Sequence, residues 1–483
     1  MMPFAAPELI PAFPEIALAF MAIMLLLLGV SREKEDYKQV ARLSVLTLLA
    51  VAFVLSCFGQ GNASTFGGMF VADGFGAFMK ILVVLGSAVS IVMAGKYAER
   101  ERILRFEYPV LVLFSTLGMM LMISAHDLMS LYMAVELQSL PLYVLAALQR
   151  DTVRSPEAGL KYFVLGALSS GLLLYGSSLI YGYTGATGFD KLALAFTAQE
   201  TLAPGAVIGM VLLAAGLSFK ISAAPFHMWA PDVYHGAPTS VTAFFAIAPK
   251  IAALALITRV FMGPFGEMVE QWRQVIIVLA VLSMAVGAVA AIAQTNIKRL
   301  LAYSSIGHMG YALVGLAAAS PAGVKAIMIY AALYMLNSIG TFAVVLMMKR
   351  KDRMVEDIAD LSGLAKRQPM VALAMAVMMF SMAGIPPLAG FFGKLFVFQA
   401  AVSTGLYSLA VVGVLASVVA AYYYLRIIKV MYFDEGLEEG LDPAEDRSLS
   451  FILAASTLAV TFFILLPGPL LASAEAAALS LMW

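Results

Sequence analysis

Among the ionisable residues inside the long hydrophobic runs of this chain, the most informative are Glu136, Lys220, Lys250 and Lys394. A charge at the centre of a membrane-spanning helix costs roughly 2.5–3.5 kcal/mol on insertion scales, so such residues are paired or functional. The residue types point to proton transfer. Burial disfavours the charged form of a lysine and a nearby carboxylate favours it, so an acid that moves relative to a buried lysine can load and unload its proton. Proline accompanies these residues. Pro141 lacks an N–H and frees the carbonyl of Leu137, beside Glu136; Pro225 does the same for Ile221, beside Lys220; Pro249 directly precedes Lys250. Freed carbonyls can hold ordered water, along which protons hop. The competing reading is a set of helix kinks with structural ion pairs.

Other polar residues carry weaker signals. Lys161 and Lys325 lie near helix starts, where a lysine can snorkel to the interface. Lys80 is deep and lacks an obvious partner unless Asp73, two turns earlier, faces it. His227 and His235 flank an expected helix break, where they either relay protons or cap the break. Lys298 and Arg299 read as ordinary interfacial charges. Four scattered histidines do not suggest a zinc site. One cysteine, Cys57, leaves no disulfide framework, CxxC pair or iron–sulfur ligand set within the chain. No GxGxxG, P-loop or haem-attachment motif is present.

The elements that must position these residues follow from composition. Of 483 residues, 62% are hydrophobic and 12% charged, against roughly 45–50% and 25% in soluble domains. Apolar runs near the ~20 residues needed to cross a bilayer recur throughout. A net charge of zero argues against a nucleic-acid partner. The expected fold is an all-α polytopic membrane protein, residues 1–483 in one membrane domain, with about 14 transmembrane helices. The spans are 9–30, 41–58, 71–94, 108–125, 127–149, 158–183, 205–236, 240–262, 275–294, 299–319, 322–348, 370–402, 407–432 and 449–472. The first span does not read as a cleaved signal peptide, because no Lys or Arg precedes it and a charged SREKEDYKQVAR loop follows.

Spans seven and twelve exceed one crossing and carry proline near their middles, Pro225 with Pro231 and Pro386 with Pro387, so both read as broken helices. With the N-terminus outside, inward loops and adjoining helix ends hold 21 of the 30 Lys and Arg, and outward loops hold two. That positive-inside asymmetry puts both termini in the periplasm. SPEAGLKYFVLGAL opens span six and SPAGVKAIMIYAAL opens span eleven, and the broken helices recur at nearly the same spacing. Two inverted five-helix repeats follow, 108–263 and 275–433, after an N-terminal three-helix segment (1–107) and before a C-terminal helix (448–483). Inverted repeats around broken helices are a transporter arrangement. At about 1.5 Å per helical residue, Glu136 and Lys250 fall roughly 14 and 15 Å into their spans, near mid-membrane. Lys220 lies on the cytoplasmic side of that level and Lys394 on the periplasmic side, which sketches a lateral row.

Three blocks carry a family resemblance. GLSFKISAAPFHMWAPDVYHGAPTSVTAFFAIAPKIAALALITR (216–259) resembles the seventh and eighth helices of the antiporter-like membrane subunits of respiratory NADH–quinone oxidoreductase, complex I. QTNIKRLLAYSSIGHMGYALVG (294–315) and FSMAGIPPLAGFFGKLFVFQ (380–399) are similar to that family's later motifs. DVYHGAPT and the lysine of AIAPKIAAL favour the subunit N branch. The resemblance implies that Glu136 modulates Lys220, the seventh-helix proton carrier. It makes Lys250 the connecting lysine, Lys394 the lysine of the periplasmic half-channel and Lys161 a further lysine on the polar axis. It further implies outward proton pumping in a bacterial inner membrane, with NADH oxidation and quinone reduction elsewhere. No cofactor is expected in this chain; FMN and iron–sulfur clusters belong to partner subunits. The expected partners are other membrane-arm subunits, including antiporter-like neighbours, and the lipid bilayer. A cation/proton antiporter subunit shares these features, whereas a quinone-binding redox enzyme or a pure scaffold fits them less well.

Overall fold

The computed structural model describes residues 8–31, 37–59, 61–198, 203–351, 353–443 and 445–481. Part of the charged SREKEDYKQVAR loop (32–36) and both extreme termini lie outside the described residues. The described chain is a helical bundle with two small β-hairpins. Its first helices are α1 (Phe13–Ser31), α2 (Tyr37–Phe58), α3 (Gly74–Arg100), α4 (Glu107–Ser124), α5 (Leu128–Ala146), α6 (Arg154–Thr184) and α7 (Phe189–Thr197). The middle of the chain forms α8 (Pro204–Lys220), α9 (Trp229–Gly236), α10 (Thr239–Met262), α11 (Val269–Ile292), α12 (Ile297–Ala317) and α13 (Pro321–Met347). The remainder forms α14 (Leu364–Arg367), α15 (Pro369–Ala383), α16 (Ala389–Ser403), α17 (Tyr407–Tyr432), α18 (Arg447–Phe462) and α19 (Gly468–Ser480).

Twelve of the described helices are long and apolar enough to cross a bilayer. The two longest expected spans are instead each divided in two: α8 with α9, and α15 with α16. The cause is local. Pro225 and Pro231, and Pro386 and Pro387, cannot donate to a helical ladder, so backbone bonding must be completed from elsewhere. The N–H of Ala224 donates to Ser283 Oγ of α11 (2.8 Å), and the indole of Trp229 donates to the carbonyl of Phe219 (3.0 Å). In the second break, Ser381 Oγ accepts from the N–H of Gly390 at 2.9 Å. Pro141 and Pro249, by contrast, sit inside continuous helices.

α10, α12 and α13 form the centre of the bundle and are almost wholly buried. α1, α2, α17 and α18 form part of the rim, where Phe20, Phe53, Val418 and Phe451 stand exposed. Surplus apolar surface on a polytopic chain is the face that meets lipid. The last expected span is shorter than its hydropathy suggests. α18 stops at Phe462, a 3-10 turn covers Phe463–Leu465, and α19 begins after Pro467. α19 then packs against α3 and α13, and Ser480 Oγ accepts from the N–H of Phe75 at 2.8 Å. α7 escapes a reading by hydropathy, because nine residues are too few to register as a crossing.

Candidate functional site

Lys220 is the last residue of α8, where the first break begins. Its ammonium is buried and donates to Ser139 Oγ on α5 at 2.7 Å, and Ser139 in turn donates to the Val135 carbonyl. Glu136 precedes Ser139 by three residues, which puts both on one side of α5. Glu136 is half-buried, and among the described residues its Oε1 is enclosed without a hydrogen-bond partner. Met133 and Leu140, one turn to either side, are exposed, so the carboxylate stands at the rim of the chain rather than at its centre.

Lys250 is 1% exposed. Its Nζ donates to Ser305 Oγ of α12 (2.7 Å) and Ser222 Oγ in the break (3.3 Å), and lies 5.6 Å from the centre of the Tyr234 ring. Ser222 adopts a left-handed backbone, φ +59°, which the irregular break accommodates. Lys394 is also buried. It donates to the Ala383 carbonyl (2.8 Å), left open where α15 ends, and to Ser417 Oγ of α17 (2.7 Å). Gly384 caps α15 at φ +88°, and a Cβ there would meet Lys394 Cδ at 2.9 Å. Glycine is thus required both by the backbone and by the lysine that folds over it.

His308 spans the distance between these two lysines. It lies three residues after Ser305 on α12. Its Nδ1 and Nε2 lie 2.6 Å and 3.0 Å from the hydroxyls of Tyr330 and Tyr424, with the tautomer set by which phenol donates. Tyr424 also pairs with Ser304 Oγ at 2.5 Å. The ring of Tyr311, 6.1 Å from that of His308, underlies the Lys394 ammonium at 4.8 Å. The void beside His308 measures only about 10 Å³, at the lower limit for one water molecule. Beside His308 the polar contacts are made by protein hydroxyls.

The structure brings Glu136, Lys220, Lys250 and Lys394 into one row, with Ser139, Ser222, Ser305, His308, Tyr330 and Tyr424 between or beside them. It does not bring Lys161 there. That lysine is half-exposed and paired with Glu157 (2.8 Å) and Asp232 (3.2 Å), and Asp232 is shared with Arg299 (2.7 Å). Glu157, one turn earlier on α6, holds it at the surface. His227 lies in the first break, half-buried, outside the hydrogen bonds of the row. His235, near the end of α9, stands beside the pair formed by Lys298 and Glu356 (2.7 Å). The suggested Lys80–Asp73 pairing is also corrected. Lys80 pairs with Glu15 of α1 at 2.5 Å, and Asp73 accepts two bonds from Arg259 (2.7 and 2.8 Å).

His308 and Glu15 are the residues that sequence reasoning misses. Ser304 and Ser305 precede His308 at helical spacing in AYSSIGH, a one-face pattern that could have flagged it. Glu15 is a lone carboxylate at the start of an apolar span.

A family model described as NADH:quinone oxidoreductase/Mrp antiporter, TM, matches residues 125–420, which include Glu136, Lys220, Lys250, His308 and Lys394. NADH-quinone oxidoreductase subunit N of Paramagnetospirillum magneticum is 56% identical over 98% of this chain and 97% of its own length. The protein of that name from Rhodospirillum rubrum is 55% identical over 99% and 98%. The chain belongs to the NADH-quinone oxidoreductase subunit N family. Among solved structures, a chain of respiratory complex I from Thermus thermophilus superposes with a TM-score of 0.83 at 33% identity, covering 96% of this chain and 99% of that one. A chain of the Mrp complex from Dietzia sp. superposes at 0.85 with 24% identity, covering 98% of each, a likeness of fold alone. Subunit N membership and the helical bundle agree with the expected all-α polytopic membrane fold.

Proposed function

We propose that protons cross the middle of this subunit along the row from Glu136 and Lys220, through Lys250 and His308, to Lys394. The chain is a membrane subunit of NADH-quinone oxidoreductase, a proton-translocating enzyme complex, and its partners are the other membrane-arm subunits. The observation that carries the reading is the way each buried ammonium is held. Lys250 donates to two serine hydroxyls and Lys394 to the Ser417 hydroxyl and the Ala383 carbonyl; each hydroxyl can accept from the ammonium and turn to donate when the lysine is an amine, while the carbonyl only accepts. A structural ion pair would look different, as Arg259–Asp73 does, with both ends matched by charge.

The remaining steps belong to the same reading. Glu136 sets the charge on Lys220 by its distance, and its place at the rim lets a neighbouring subunit influence it. Lys394 delivers protons outward. Lys161, His227 and His235 serve uptake from the cytoplasmic side, away from the row itself. The chain lies in the bacterial inner membrane with both termini in the periplasm. The two broken segments occupy equivalent places in inverted repeats within fourteen crossings. Electron transfer from NADH to quinone, with FMN and iron–sulfur clusters, belongs to partner subunits. A free-standing antiporter subunit is the second reading, and the subunit N relatives disfavour it.

The test is the Glu136→Gln enzyme, reconstituted in liposomes, with NADH-driven acidification measured beside NADH oxidation and the subunit content of the complex. The expected result is an assembled complex with strongly reduced pumping. Normal pumping in that complex removes Glu136 from the mechanism.

A further inference from the structure

Away from the row, the start of α1, the end of α2 and the start of α3 enclose a cavity of about 590 Å³. That is a ligand-sized space. Its walls are mainly apolar, among them Phe13, Ile16, Val54 and Ala77, and its charged lining consists of Asp73 and Lys80. Each of these already has its counter-charge: Lys80 from Glu15 and Asp73 from the Arg259 guanidinium. A buried water needs two to four polar partners, which this cavity offers only at its Asp73–Lys80 end, its remaining walls being apolar. A charged guest is equally unsuited, because the four groups sum to zero. Ile10, 85% exposed, and Phe13 flank the cavity on the outer, apolar face of the bundle.

We infer that this cavity is a lipid site, occupied by one acyl chain of a membrane phospholipid. The chain fills space that neither water nor a charged group suits, and it covers the Glu15–Lys80 pair from the bilayer side. Asp73 and Arg259 also line a second cavity of about 270 Å³, with Asn62, Ser64, His126 and Asp190. That cavity has the polar groups water requires. Asp73 thus lines both spaces, and the acyl chain in the first covers the Glu15–Lys80 pair.

The test uses the whole complex with a diazirine-bearing aliphatic side chain at Val54, a second variant with the same probe at Ile16, and a comparator at Leu46, exposed on the outer face of α2. Each is illuminated in native membranes and again after exhaustive detergent washing, and adducts are identified by mass. The expected result is a phospholipid adduct at Val54 and Ile16 that survives washing at several times the level left at Leu46. Loss of the adduct to the same extent at all three positions means ordinary annular lipid and overturns the site. So does an adduct to a protein segment, from another subunit or from this chain, or the absence of any adduct at both cavity positions.

Discussion

Lys250 and Ser305 stand on different helices, α10 and α12, and are joined by a 2.7 Å hydrogen bond at the buried centre of the subunit. The bond links the two halves of the chain. On one side of it, Ser222 belongs to the break that begins at Lys220; on the other, His308 lies one helical turn beyond Ser305. A proton leaving Lys250 thus has a hydroxyl in hydrogen-bond contact towards either break.

Replacing Ser305 with Ala removes the shorter of the two Lys250 hydroxyl contacts. A hydrogen bond to a charged group contributes about 1.5–3 kcal/mol, so the protonated state of Lys250 should lose stabilisation of that order. The Ser305→Ala complex should assemble and pump more slowly, and Ser222→Ala, which removes the longer contact, should be milder. Proton flux per NADH oxidised, measured in liposomes, checks both; equal and normal ratios would show that the hydroxyls are packing only.

His308→Gln keeps a donor and an acceptor for Tyr330 and Tyr424 but lacks a ring that can take up a proton on one nitrogen and release one from the other. Assembly should persist while pumping falls. His308→Phe should also lower the yield of folded subunit, because the buried Tyr330 phenol then loses its partner, at a cost of about 1–3 kcal/mol, while Tyr424 keeps Ser304. Native gel analysis separates the two effects. A Gln variant with full pumping would leave His308 a structural residue.

The legible part of this site is the part that violates hydropathy. Lys220, Lys250 and Lys394 stand out because an ammonium inside an apolar run demands a reason, and the prolines mark two segments that cannot continue as helices. What one sequence cannot supply is which helix faces which. Ser139 and Ser305 are ordinary residues in the chain and acquire meaning only once α5 lies against Lys220 and α12 against Lys250. The same gap misplaces the partner of Lys80: Asp73, seven residues before it, is a reasonable neighbour, but the side chain that reaches it comes from Glu15 on another helix. Lys161 sits in a motif repeated later in the chain, which gives no measure of its exposure. The end of α18 is obscured in the sequence because the apolar run of Ile464, Leu465 and Leu466 hides the stop that Pro467 imposes.

Glu356, in the loop that follows the short hairpin of Lys349–Arg350 and Arg353–Met354, anchors that loop to α12. It accepts from Lys298 Nζ at 2.7 Å and Asn296 Nδ2 at 3.2 Å. Burial alone would raise its carboxyl, but the Lys298 charge and these bonds outweigh it and hold the group below the usual carboxylate range. A depressed carboxylate contributes stability above its unfolded value and loses it as pH falls through the folded one. Backbone hydrogen exchange over 353–361, corrected for intrinsic rates, should therefore stay slow through the ordinary carboxylate range and accelerate only at more acid pH. Glu356→Gln should exchange quickly at neutral pH; slow exchange in that variant would mean that the loop is held by its backbone bonds alone.

Proton carriage by Lys220 is the central claim, and arginine tests it because arginine keeps the charge and cannot release its proton in a protein. The decisive measurement is NADH-driven proton pumping by assembled Lys220→Arg and Lys220→Ala complexes in the same liposome preparation. The account predicts that the arginine variant is nearly as defective as the alanine variant. An arginine variant that pumps normally while the alanine variant fails would make Lys220 a fixed counter-charge for Glu136, and the row would lose its carrier.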